Sequence, residues 1–208
     1  MWPGNIIYEN QELRDEHLEL AADADRLIYL GPYLTLQRCT VVVRVPSSRL
    51  FIRPTRFIDC TIELKQELKN FRWWVSASLR GCRLKGRMSG CDFGRFPGYV
   101  SGGEQGEVED CDFSEARLDL CRFHNCDTRT LKFPRWPCFT ILDPIGKGRE
   151  LMSVEWPGSF RPVRLEGPYQ EVPSLVARTI YAPAEAKRSG TTEEELKAAV
   201  QRFDFILH

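Results

Sequence analysis

Residues 111–135 read CDFSE ARLDL CRFHN CDTRT LKFPR, and this stretch decides the fold. Set in fives, each unit opens on an apolar or small residue: Cys111, Ala116, Cys121, Cys126 and Leu131. Each carries another at its third place, namely Phe113, Leu118, Phe123, Thr128 and Phe133, and polar residues fill most of the rest. A period of five is neither the 3.6 of a helix nor the 2 of a strand. Strong internal periodicity predicts a solenoid in which each repeat buries its inner face only against its neighbours.

The rhythm resembles that of the pentapeptide-repeat family. There, four five-residue units make one square coil of a right-handed β-helix, with the first and third residues of each unit pointing inward. The resemblance implies a second period of about twenty residues, and the chain carries one. Phe133, Phe113, Phe93, Trp73, Ile52 and Leu30 fall at intervals of 20, 20, 20, 21 and 22. A second column runs Cys138, Leu118, Tyr99, Leu79, Phe57 and Leu36. A third runs Leu20, Val41, Ile62 and Leu84, then skips to Phe123; a fourth is Leu68, Met88, Val108 and Thr128. Two residues earlier lie Leu18, Cys39, Cys60, Cys82 and Cys121 in one column, and Cys91, Cys111 and Leu131 in another. The glycine-rich GYVSGGEQGEVED keeps this register through Tyr99 and Val108, so it reads as part of a coil with loose corners.

The expected fold is therefore mainly β: a right-handed parallel β-helix of about six coils over residues 18–138, roughly 29 Å long at about 4.8 Å per coil. Residues 1–17 are expected to form an N-terminal cap, and 139–208 a mixed α/β capping region with one or two helices. In the tail, Pro173 is read as opening a helix through Tyr181 that Pro183 stops. Thr191 and Thr192 before three glutamates mark a capping box for a helix to about Phe203, with Leu196, Val200 and Phe203 on its apolar side.

Composition narrows the function. With 29 acidic and 29 basic residues the formal net charge is zero, whereas a general nucleic-acid or anionic-membrane binder shows a basic excess. There is no apolar run of membrane-spanning length, so a soluble, cytoplasmic protein is expected. Of the 8 cysteines, seven take first positions and Cys138 a third, where a reduced thiol serves as a small hydrophobe. Parallel inward side chains and a reducing compartment favour free thiols over disulfides.

Catalytic signatures are sparse. Cys121, His124 and Cys126 resemble a ligand cluster, but the repeat register turns the cysteines inward and His124 outward, and diverging ligands cannot complete a zinc site. The other histidines are His17 and His208; no GxSxG elbow accompanies them. Gly146, Lys147 and Gly148 fall short of a phosphate loop. Neither catalysis, cofactor nor metal is expected.

Some pentapeptide-repeat proteins protect type II topoisomerases by imitating DNA, a role requiring an acidic exterior. Here the outward acids Asp112, Glu115, Asp119 and Asp127 face the outward bases Arg117, Arg122, Arg129, Lys132 and Arg135, a balance that does not support it. Surface recognition remains. With Trp73 inward, Trp74 faces out, and the same corner carries Arg95 and Phe96 and then Arg135 and Trp136. Aligned aromatic and arginine side chains are the residue types of binding hot spots, unless the tail covers them. The expected function is non-catalytic protein binding, by analogy with small bacterial immunity proteins that neutralise a toxin or effector domain, and homodimerisation through a rod end fits the same resemblance. The alternatives are topoisomerase interaction by DNA mimicry and an enzyme whose site lies between β-helix and cap, near Lys147 and Arg149.

Overall fold

The computed structural model describes residues 4–23, 25–97, 106–165 and 171–208. Side-chain alternation sets the strands, and parallel ladders stack them into a β-solenoid. One side of the coil is β1 (Ile6–Tyr8), β4 (Ile28–Leu30) and β7 (Leu50–Ile52). The next is β2 (Glu12–Arg14), β5 (Leu34–Gln37), β8 (Thr55–Ile58), β11 (Ala77–Arg80) and β14 (Val108–Glu109). The third is β3 (His17–Leu20), β6 (Thr40–Val43), β9 (Thr61–Leu64) and the first half of β12 (Arg83–Ser89). β12 then turns a corner at Gly86, and its second half pairs with β10 (Leu68–Lys69) and β15 (Ala116–Asp119) on the fourth side. Gly86 has φ 106°, and a Cβ there would sit 2.5 Å from the Leu64 carbonyl oxygen, so the corner excludes a side chain.

Other corners recur one residue before an inward cysteine. Arg38, Asp59, Gly81 and Asp110 are left-handed and precede Cys39, Cys60, Cys82 and Cys111; Gly90 and Leu120 precede Cys91 and Cys121. Glycine, asparagine and aspartate tolerate that conformation best, and the sequence supplies them at most of these places. The thiols then stack, with the Cys39 amide donating to Cys60 Sγ at 3.4 Å. All eight cysteines are free, and only Cys126 is more than marginally exposed. The bond toward Cys111 and burial together push the Cys82 thiol up to about 12, against an opposing bond from Cys60.

Several columns are as expected: Leu36, Phe57 and Leu79 pair in register, as do Val41, Ile62 and Leu84. Leu18, not Leu20, stands beside Val41. The larger correction comes after Phe93. Phe93 pairs with Phe123, 30 residues on, and Met88 with Leu118, also 30 on, whereas Leu68 pairs with Met88 at an interval of 20. Val108 joins Leu79, and Asp112 bridges Arg83 and Lys132. These steps are about ten residues longer than the earlier ones; Val108 is coil wall, as expected, but beside Leu79 instead of Met88, and Tyr99 lies outside the described residues. The longest parallel ladder has five strands, so the solenoid makes about four turns, not six. Its length is about 19 Å at 4.8 Å per step. Stacking also begins earlier than expected, since Ile6 already pairs with Ile28.

The interior changes character along the axis. The first turns are filled by Ile28, Leu30, Leu36, Val41 and Ile52, the later ones by Phe57, Phe71, Trp74, Phe93, Phe113 and Phe123. Phe93 stacks between Trp74 at 5.9 Å and Phe123 at 5.1 Å and meets Phe113 edge to face at 5.3 Å.

The open end is closed by a mixed sheet, one parallel pair followed by three antiparallel ones. β13 (Asp92–Gly94) pairs with β16 (Cys121–His124), which receives β18 (Leu175–Tyr181), followed by β17 (Cys138–Leu142) and β19 (Ile206–Leu207). The segment after Pro173 is therefore a strand, not a helix; its β-branched residues and alternating burial fit a sheet. Pro183 sits in the first turn of α2 (Ala182–Ser189), where a missing amide costs nothing, so it starts a helix instead of stopping one. The capping box is present: Thr192 Oγ1 accepts from the Glu195 amide at 3.1 Å and opens α3 (Glu193–Val200). With α1 (Gly148–Met152), these pack a second core around Phe139, Trp156, Phe160, Leu196 and Phe203. Among the described residues no helix is long and apolar enough to cross a membrane.

Phe93→Ala is expected to lower the unfolding free energy by about 3–5 kcal/mol in a urea titration, because it opens a cavity among three rings. Thiol labelling of the native protein at pH 8 is expected to reach Cys126 first and leave the other seven unmodified until denaturant is added.

Candidate functional site: an arginine-lined cleft between solenoid and cap

Alternation in CRFH sends Cys121 and Phe123 inward and Arg122 and His124 to the opposite face. On an open coil that face would meet solvent. Here β18 pairs alongside and the cap lies over it, so His124 is fully buried, contrary to its expected outward exposure. Register then lines charged side chains across three strands: Asp92 stands opposite Arg122, and Arg122 opposite Arg178.

Each member of this row is held. Arg122 donates to both Asp92 oxygens, Nε to Oδ1 at 2.6 Å and Nη2 to Oδ2 at 2.8 Å. His124 Nε2 donates to Asp92 Oδ1 at 3.1 Å, and in the neutral ring Nδ1 accepts from the Ser174 hydroxyl at the same distance. Arg178 Nη1 donates to Glu171 Oε1 at 2.6 Å. Burial works against the Asp92 carboxylate, but the bonds from His124 and Arg122 outweigh it and hold its pKa below the ordinary value. Burial pushes the pKa of Arg178 down, and its Nε has no hydrogen-bond partner.

In front of the row opens a cleft of about 560 Å³, lined by Arg122, Arg161, Arg164, Arg178 and Arg188, by Glu171 and Glu185, and by Phe96, Phe160 and Ile180 among apolar residues. Arg188 clamps the cap to the solenoid: Nη1 and Nη2 donate to Asp119 at 2.7 and 2.9 Å, and Nε to Glu185 Oε2 at 3.0 Å.

The stripe read from the sequence does not assemble. Trp74 is 1% exposed and lies inside the solenoid, since the 3-10 turn over Arg72–Ser76 shifts the phase by one residue; its neighbour Trp73 faces outward instead. Phe96 packs edge-on against His124 at 4.6 Å and lines the cleft, while Arg95 pairs with Glu107. Trp136 stacks on Phe139 at 6.5 Å, with Lys197 of α3 over its ring at 5.5 Å; Arg135 beside it is exposed. The sequence reading missed Asp92, Glu171 and Arg178. A signal existed for Arg178, a charge at an alternate position of the β-branched run LVARTIY.

Lys147 and Arg149 form no part of the cleft; Lys147 lies over Phe205 at 4.8 Å. Among the described residues no group of three His, Cys, Asp or Glu is arranged to hold a metal ion. Comparison with known proteins finds no matching family, no matching curated protein and no matching solved structure.

Asp92→Asn is expected to cost about 3 kcal/mol at neutral pH, because it leaves His124 and Arg122 without their carboxylate in a covered site. Since the folded pKa of Asp92 is lowered, its contribution is whole above the ordinary value of 3.8 and is lost as pH falls through the folded value. Denaturant titrations of wild type and variant should therefore differ at pH 7 and converge toward pH 2.

Proposed function

We propose that the solenoid is of the pentapeptide-repeat type and that the protein is a non-catalytic binding module acting as an immunity protein, which neutralises a toxin or effector domain made by the same cell. The supporting observation is the cluster on the outer wall around Trp73. Phe51 lies 5.6 Å from its ring, and the guanidinium groups of Arg53 and Arg72 sit over it at 5.6 and 5.0 Å. Both arginines are exposed, whereas the two rings are half-buried and Trp73 is packed against the core. A large aromatic held rigidly between arginines is the composition of interface hot spots, because little side-chain entropy remains to be lost on binding. Stacked ladders beneath it give a wall whose geometry changes little on docking. The five-residue rhythm of residues 111–135 supports the repeat type, and the balanced charge suits a mixed polar interface more than imitation of DNA.

The test is co-expression with the toxin domain encoded beside the gene. Wild type is expected to restore growth and bind the toxin in a 1:1 complex. The exposed double change Arg53→Glu and Arg72→Glu is expected to weaken binding at least a hundredfold while moving the melting temperature by no more than about 2 °C. Full protection by the double variant would place the interface elsewhere, and absence of any protection by wild type would end the immunity reading.

A further inference from the structure

We propose that the outer wall formed by β1, β4 and β7 docks an acidic protein segment, whose carboxylates pair with Arg53 and Arg72 while its apolar side chains lie along a ladder of Ile7, Tyr29, Phe51 and Trp73. The wall includes the Trp73 surface, and its assignment to an acidic partner rests on the reading of that surface as a protein-binding site.

Alternation builds the ladder. Ile28, Leu30, Leu50 and Ile52 are buried in the core, which turns Tyr29 and Phe51 outward. Parallel register then stacks Ile7 beside Tyr29 and Tyr29 beside Phe51, and the Trp73 ring continues the row 5.6 Å from that of Phe51. Three steps of about 4.8 Å make a strip of roughly 14 Å. The other walls differ at their outward places among the described residues. Thr35, Arg56 and Ser78 follow one another on the second, Glu19, Val42, Glu63 and Lys85 on the third, and Lys69, Ser89 and Asp119 on the fourth. An outward apolar row confined to one wall marks a surface that another molecule covers.

The corner that follows β4 points the same way. Tyr33 is 80% exposed, so its ring packs against little, yet its backbone is left-handed with φ 61°. A bulky aromatic residue seldom takes that conformation. The matching corner one turn earlier carries Asn10, whose amide donates to the Pro32 carbonyl at 3.1 Å and whose short polar side chain suits its φ of 53°. Backbone strain held under an exposed ring adds nothing to folding and belongs with function. Register puts Tyr33 one turn before the Arg53–Pro54 corner, since the Arg53 amide donates to the Leu30 carbonyl at 2.8 Å and Leu34 pairs with Thr55. The tyrosine thus borders the ladder on the side of Arg53.

Charge and ring geometry select the partner. Arginines elsewhere on the outer coil are paired, Arg38 with Asp15, Arg44 with Glu19 and Arg95 with Glu107. Arg53 and Arg72 have no ion-pair partner among the described residues and lie instead over the Trp73 ring, at 5.6 and 5.0 Å. Two exposed guanidinium groups already placed beside an apolar strip complement carboxylates that border an apolar segment. A single-stranded nucleic acid would need open ring faces for its bases. Here guanidinium groups lie over the Trp73 face, and the Phe51 ring is tilted by 49° against it. The wall therefore offers ring edges and charge, which suit protein side chains.

The experiment is selection of a random peptide display library on the immobilised full chain, followed by fluorescence anisotropy with the enriched peptides. Enrichment of peptides that combine aspartate or glutamate with apolar residues is expected, with an affinity that falls as salt is raised. The double change Arg53→Gln and Arg72→Gln is expected to weaken their binding at least about tenfold. Tyr33→Asn is expected to weaken it several-fold while the melting temperature holds or rises, because asparagine tolerates the left-handed corner; a tyrosine with only a structural role would lower the melting temperature on removal and leave binding unchanged. The proposal is overturned by no enrichment above that of the double variant, by basic or uncharged peptides, by affinities that neither change moves, or by tighter saturable binding of a single-stranded oligothymidylate that the same changes abolish. No toxin enters the selection. Acidic peptides enriched by a chain that fails to protect cells would support the acidic partner and end the immunity reading alone, and protection by a chain that selects basic peptides would do the reverse.

Discussion

A parallel solenoid ends in a row of unpaired backbone amides and carbonyls, and the C-terminal third of this protein is arranged around closing that row. At the first turn no described strand pairs on the outer side of β2 and β3, and charge lines them: Glu12, Arg14, His17 and Glu19 are exposed, which discourages edge-to-edge pairing. At the last turn the chain uses structure. β18 adds antiparallel to β16, and β17 and β19 extend the sheet away from the coil axis. Closure has a chemical consequence, because residues that alternation turns outward on β16 end beneath a cap. Arg122 and His124 therefore need partners, and Asp92, Ser174 and the cap's own residues supply them.

Inside the coil, the governing limit is width. Cysteine recurs at the corners, and seven of the thiols donate to a carbonyl of the turn before, as Cys82 does to Phe57 at 3.3 Å. Bonds between neighbouring thiols together with burial raise Cys60 and Cys82, and burial raises Cys39, Cys121, Cys126 and Cys138, which keeps these thiols protonated. Wider positions on the sides take leucine and isoleucine in the early turns and stacked aromatic rings in the later ones. Offset and edge-to-face ring contacts add to the area they bury, which suits the end of the solenoid that must carry the cap.

Much of this was legible in the residues. The five-residue rhythm places Phe57, Leu79, Ile62 and Leu84 on the inner wall, and Thr192 ahead of three glutamates marks the start of α3. What misled was the insertion before Val108. It lengthens one turn by about ten residues, the difference between the 30-residue step from Phe93 to Phe123 and the 20-residue step from Leu68 to Met88. Ten is two whole units, so the rhythm keeps its phase while the ladder slips by half a coil. No phase argument detects such a slip. Trp74 failed for the opposite reason: a single 3-10 turn moves the phase by one residue, and a tryptophan is equally apolar on either side of it. The candidate cleft is the least legible, because it joins Arg122 to Arg178 across a pairing that local pattern does not encode, and because Pro173 ahead of the alternating run mimics a helix start.

The arginine row bears on whether stability alone explains the cap. Buried ion pairs are weak stabilisers: exchanging them for apolar side chains of similar volume is often neutral or favourable. A strand added only to close the edge would do better with valine or leucine at Arg178, as its own Ala177 and Ile180 illustrate on the two cores they serve. Instead the chain places two cations in opposition, fixes each with a separate carboxylate, and leaves open space in front of them. Edge closure accounts for β18 being a strand and for the apolar residues along it. Arg178 at its centre is not accounted for by closure.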